Sequence, residues 1–199
     1  GKLDQGRIQV QVQPSQHGHD GRPHVVVRFP GLFPVPFGVQ LVEKLGRIDG
    51  NRFGERQLVE LVVGDTGRAQ LTWTDFLSGE FLPGTDVLLS LSLPAEREVV
   101  LDQATGTARY VLQGAGAGAN VQVKAAWANI VLDLGTADVL VSLVPGTDPA
   151  VWVVALEGSA QVDHAGDETS RVALLPGQVV TVTDAGGVAE PIDIDRAAV

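Results

Sequence analysis

Between Val151 and Val182 the chain reads VWVVALEGSAQV, then DHAGDETS, then RVALLPGQVVTV. Runs of β-branched residues this short, each closed by Gly, Asp or Pro, leave room for strands and turns but not for a helix of ordinary length. Two strands flank a Gly turn expected at Gly158, and a third apolar run is broken by Leu175-Pro176-Gly177. The same grammar covers the rest of the chain. IQVQVQ at 8–13 alternates apolar and polar residues, as a half-buried strand does. Further strands are expected at 24–29, 39–45, 57–64, 68–73 and 85–93, and then through 101–112, 120–125, 131–144, 153–162 and 172–182. With 24 Gly and 11 Pro as punctuation and no amphipathic helical stretch, the expected class is all-β with little or no helix.

The strands come in a repeated order. Leu3-Asp4-Gln5 matches Leu101-Asp102-Gln103, HVVVRF at 24–29 matches NVQVKA at 120–125, and Gly38 matches Gly135. Gly64 matches Gly158, and Leu82-Pro83-Gly84 matches Leu175-Pro176-Gly177. The offset drifts only from 98 residues (101 minus 3) to 93 (175 minus 82), which indicates a duplicated unit of about 90 residues. The expected division is 1–100, 101–185 and an acidic tail at 186–199.

Charge narrows the function classes. The formal net charge is −10, and the acidity is uneven: residues 1–100 hold 10 Lys/Arg against 12 Asp/Glu, residues 101–199 hold 4 against 12. A nucleic-acid partner would require a basic face for the phosphates, and an anionic lipid surface would be repelled, so neither is expected. No apolar run reaches the ~20 residues that span a bilayer, so no membrane insertion by this chain is expected. There is no Cys, which removes disulfides and thiolate zinc sites. There is no Met, even at position 1, so a removed leader or a longer parent protein is expected.

The pattern of a strand, Gly-Thr, an apolar strand, a strand ending in Leu-Glu-Gly and a closing Leu-Pro-Gly-Gln strand resembles the FecR-like domain. Here it reads DLGTADVLVSLV at 133–144, VVALEGSAQV at 153–162 and VALLPGQVVTV at 172–182. The resemblance is clearest over 101–185 and weaker over 3–92. It implies an extracytoplasmic all-β protein (periplasm, cell surface or secreted) of two related units with β-solenoid-like or jelly-roll-like stacking. In the founding members such a domain follows a membrane helix and relays the state of an outer-membrane transporter to a sigma factor. This chain carries neither that helix nor a sigma-binding segment. The first expectation is therefore a non-catalytic structural or docking subunit of an envelope or cell-surface assembly, such as a filament. It would act through other protein subunits or copies of itself. The alternatives are a periplasmic sensing domain of an anti-sigma-type signalling protein, and a carbohydrate- or metal-binding module.

Several polar clusters offer candidate chemistry. His17, His19, Asp20 and His24 lie in HGHDGRPH and could converge on a zinc- or nickel-type ion, but they read first as a solvated loop of polar residues between two strands. Asp163, Asp167 and Glu168, and Asp133 and Asp138 around Gly135, read as turn carboxylates. No serine stands in a G-x-S-x-G elbow, and the Gly/Ala run at 114–118 lacks a phosphate-loop lysine. Catalytic, cofactor-binding and metal residues are therefore assigned as none, and no enzyme activity or cofactor is expected. Trp152, between Val151 and Val153, is expected in the core or between packed layers, and FPGLFPVPFG at 29–38 is expected to cover either its own domain or a partner.

Overall fold

The computed structural model describes residues 8–13, 24–26, 38–46, 56–64, 68–73, 76–91, 98–114, 120–165 and 167–194. The strands are β1 (Ile8–Gln13), β2 (His24–Val26), β3 (Gly38–Gly46), β4 (Arg56–Val63), β5 (Arg68–Trp73), β6 (Leu77–Phe81), β7 (Asp86–Leu91) and β8 (Glu98–Thr105). They continue as β9 (Thr107–Gln113), β10 (Asn120–Ala125), β11 (Ala128–Val144), β12 (Ala150–His164), β13 (Asp167–Leu174), β14 (Gln178–Thr183), β15 (Gly187–Val188) and β16 (Ile192–Asp193). The all-β class holds. VQLVEKL at 39–45, which is also long enough for a helical turn, is strand β3.

Where the sequence alternates, burial alternates with it. Thr107–Gln113 buries Ala108, Tyr110 and Leu112 and turns Arg109 and Val111 outward. Asn120–Ala125 does the same with Val121, Val123 and Ala125. Each such Val, Leu or Ile contributes about 1.5–3 kcal/mol relative to an exposed position. Among the described residues these inward side chains form a single core.

One strand organises the sheet. The first half of β11 pairs with β10 and the second half with β9, while β12 runs along the opposite edge of both halves. Two arms therefore leave β11: β9-β6-β5-β1, and β10-β8-β7-β4-β3-β2. The arms face each other, and the sheet is a nearly closed barrel. A buried contact joins them. The Tyr110 hydroxyl on β9 donates to Gln103 Oε1 on β8 at 3.0 Å, and Gln103 Nε2 donates to the carbonyls of Gly106 (3.0 Å) and Val141 (3.3 Å). Burial pushes the Tyr110 hydroxyl well above its usual range, so it stays a protonated donor. Tyr110→Phe leaves Gln103 Oε1 without a donor in the core. Its expected cost is about 1–3 kcal/mol, read from denaturant unfolding.

β8 itself crosses residue 100 and pairs with β7, and β6 pairs directly with β9. The two Leu-Pro-Gly segments build the same object. Thr85 N–H donates to the Leu82 carbonyl at 3.2 Å, and Gln178 N–H to the Leu175 carbonyl at 3.1 Å. Gly84 and Gly177 have φ of +74° and +79°. Pro second and a left-handed Gly third define a type II turn. Gly84 N–H then reaches the Val63 carbonyl and Gly177 N–H the Ala155 carbonyl. In both places the turn returns the chain to an antiparallel partner, β7 to β4 and β14 to β12, after an intervening hairpin.

Two expected turns are strand instead. β12 passes through Gly158, and β11 passes through Asp133, Gly135 and Asp138. The breaker residues make bulges. Against β12, β11 sets residues 133–136 opposite Ser159 alone, between the Leu132–Ala160 and Ala137–Gly158 pairs, while Thr136 keeps its partner Gln113 on β9, and Leu156 is the extra residue between Glu157 and Ala155. A left-handed Gly absorbs an inserted residue without ending a ladder.

Asp86, at the start of β7, is held above the usual carboxylate range, first by burial and then by Glu60. A carboxyl raised in the folded state favours folding when protonated and opposes it when ionised. Asp86→Asn is therefore expected to stabilise at pH 7. The gain should shrink as the pH falls into the carboxylate range, as a pH series of melting curves would show.

Candidate functional site

The outward faces of β9, β11, β12, β14 and β16 carry an unusual row. Arg109 pairs with Leu140, Leu140 with Val154, Val154 with Val179, and Val179 with Ile192. Four adjacent strands thus present Leu, Val, Val and Ile side by side away from the core. Along β12 the same face carries Trp152 and Leu156 on either side of Val154, because Val151, Val153 and Ala155 point inward. Among the described residues, the large apolar side chains that stand exposed are Trp152 (50%), Leu156 (45%), Leu175 (54%) and Ile192 (49%). They share one neighbourhood. The turn holding Leu175 is bonded through Gly177 N–H to the Ala155 carbonyl, beside Leu156, and Ile194 N–H closes on the Gly177 carbonyl at 2.8 Å.

Trp152 is thus the reverse of the core residue expected from its apolar neighbours. Strict alternation decides it: with Val151 and Val153 fully buried, the residue between them must face outward. Leu156 keeps that alternation, and the bulge breaks it one residue later, so that Glu157 stands exposed beside Leu156. The row itself has a signal in the sequence. AVWVVAL at 150–156 is apolar on both faces, a pattern proper to strands covered on both sides.

Polar pairs border the row. Arg109 holds Asp138 through Nε–Oδ1 (2.8 Å) and Nη2–Oδ2 (2.5 Å), a bidentate pair that keeps the guanidinium above its ordinary range. Further along the sheet, Asp163 accepts from Asn129 Nδ2 (3.0 Å) and from Arg171 Nε (3.2 Å) and Nη2 (3.0 Å), and Gln122 donates to Asn129. Asp138 and Asp163, expected in exposed turns, are 7% and 2% exposed in strands. Cross-strand partners cover them, and no local sequence pattern announces such partners. Asp167 does fit its expected turn role: its carboxylate accepts from Thr169 N–H and Oγ1, which holds it below the usual range.

The remaining candidates separate. Ser159 Oγ donates to Asp133 Oδ2 at 2.7 Å, and Ser170 Oγ to the Asp167 carbonyl at 2.7 Å; Ser142 shares a hydrogen bond with Thr107. These serines are spent on strand and turn structure. Trp127 is half-buried against the core. His17, His19 and Asp20, residues 29–37 and residues 115–118 lie outside the described residues, as does the side chain of His24. Among the described residues no three His, Asp or Glu gather as a metal-binding group. No helix among them is long and apolar enough to cross a membrane.

Comparison with known proteins adds a fold. No family model matches the chain, and no curated protein matches it. Two crystal structures, each of a putative anti-sigma factor from Parabacteroides distasonis, are similar in fold, with TM-scores of 0.55 and 0.54 at 20% sequence identity. The alignments cover 68% and 67% of this chain and 60% and 59% of those chains, so the likeness spans about three fifths of their length.

Proposed function

We propose that this chain is a non-catalytic sensing domain of an anti-sigma-type signalling protein, placed outside the cytoplasm and acting by protein–protein contact. The observation that carries this reading is the shared fold with the two Parabacteroides distasonis structures, each of a putative anti-sigma factor. The outward apolar row supports it independently. An uncovered two-faced strand such as β12 suits a surface that meets another protein. This reading takes precedence over the envelope-subunit or filament reading, because fold similarity points toward regulators and no observation points to an assembly. The FecR-like motifs in 133–144, 153–162 and 172–182 fall on β11, β12 and β13–β14, and three of these strands, β11, β12 and β14, build the row together with β16.

The test uses the complete gene in its native host with a reporter driven by the cognate sigma factor. In-frame removal of residues 98–194 should change reporter output or abolish its response to the inducing signal. A reporter indifferent to that deletion, at equal protein level, would overturn the proposal.

A further inference from the structure

The apolar row sits in an acidic field. Between Lys124 and Arg196 the sequence holds one Lys/Arg, Arg171, against eleven Asp/Glu. Arg171 is engaged by the buried Asp163. Arg109, beside Leu140, is neutralised by Asp138. Glu157, exposed beside Leu156, pairs across the strands with Asp138 and so shares the outer face of Leu140. Size also restricts the occupant. Strands lie about 4.8 Å apart and rise about 3.3 Å per residue. The row from Leu140 to Ile192 and the column from Trp152 to Leu156 therefore cover roughly 14 Å by 13 Å. A stable dimer buries about 800 Å² on each partner, several times that footprint, and a second copy would bring the same negative charge to it.

Resting on the protein-contact reading above, we infer that the face formed by Leu140, Trp152, Val154, Leu156, Val179 and Ile192 binds a short basic segment of a partner protein. Its apolar side chains would seat on the row, and its Lys or Arg residues would face Glu157. Apolar anchors supply the affinity and the rim charges supply orientation and on-rate. Trp152 is the residue type that most often dominates such contacts.

The test is fluorescence anisotropy with a labelled twelve-residue peptide alternating Lys with Leu and Val. Matched controls carry Glu for Lys, or Ser for Leu and Val. The Lys/Leu/Val peptide should bind, and both controls should bind at least about tenfold more weakly. Trp152→Ala with Leu156→Ala should weaken binding about tenfold or more while leaving the melting temperature unchanged, because both side chains are half exposed. Glu157→Lys should weaken it several-fold, and added salt should mimic that loss. Equal binding of the Lys/Ser peptide, or binding indifferent to Trp152→Ala with Leu156→Ala, would overturn the inference, since either means unspecific attraction to an acidic protein. A dimer in sedimentation equilibrium that the same double variant dissolves would also overturn it, in favour of a second copy. If the peptide fails while the reporter still depends on residues 98–194, the partner chemistry falls and the signalling reading stands. If the reporter is indifferent, the signalling reading falls whatever the peptide does.

Discussion

Gly158→Ala will lower the stability of the fold by about 3 kcal/mol or more, a drop in melting temperature of about 6–12 °C for a chain of this length. Two effects add. Gly158 has φ of +70°, a left-handed conformation that costs an L-residue about 1 kcal/mol or more. A Cβ there would stand 1.7 Å from the Thr136 carbonyl oxygen and 2.9 Å from Ala137 Cα. Those atoms are backbone and cannot rotate away, so β11 and β12 must part at the bulge and give up ladder hydrogen bonds. Gly177→Ala is the control. Its φ is +79°, but nothing lies within 4 Å of the added carbon. It should cost only the conformational term, about 1 kcal/mol. Circular-dichroism melts of the two variants separate close approach from backbone strain, and equal losses would contradict the bulge geometry.

Phe81→Ala will cost about 3–5 kcal/mol. The Phe81 ring is 1% exposed and meets Tyr110 edge-on, with centroids 6.0 Å apart and planes at 78°. It gets there by lying over Gly79, the register partner of Tyr110. A Cβ on Gly79 would come within 2.6 Å of the Phe81 ring. Gly79→Ala alone must therefore destabilise by displacing that ring. With Phe81→Ala in place the clash is gone, and the new methyl occupies part of the cavity. The double variant should be more stable than the sum of the two single losses predicts, by about 1 kcal/mol or more. Chemical denaturation of the four proteins reads this directly, and strict additivity would mean that the ring does not lie where it is described.

How far the sequence announces this molecule follows from which contacts are local. Alternation needs no partner, so the strand character of 107–113 and 120–125 and the inward identity of Val121 and Val123 are legible. The two Leu-Pro-Gly turns are legible for the same reason, because Pro and Gly set their own dihedrals. Gly135 and Gly158 are ambiguous. A breaker ends a strand or bulges it according to the strand beside it, and here β11 and β12 hold each other through both irregularities. The burial of Asp163 depends on Asn129, 34 residues earlier, and that of Asp138 on Arg109, 29 residues earlier. The parallel pairing of β8 with β10 and the closure through β11 are likewise settled by long-range register. The apolar row was half visible. AVWVVAL announces two apolar faces, but only the sheet shows that Leu140, Val179 and Ile192 extend the outer one across four strands.

The proposed signalling role assigns recognition to that outer face. The most direct measurement places Trp152→Ala with Leu156→Ala in the complete gene and reads the sigma-dependent reporter with and without inducing signal, at matched protein level. The predicted result is a folded, normally abundant protein whose reporter no longer responds. An unchanged response from the same protein would contradict the account.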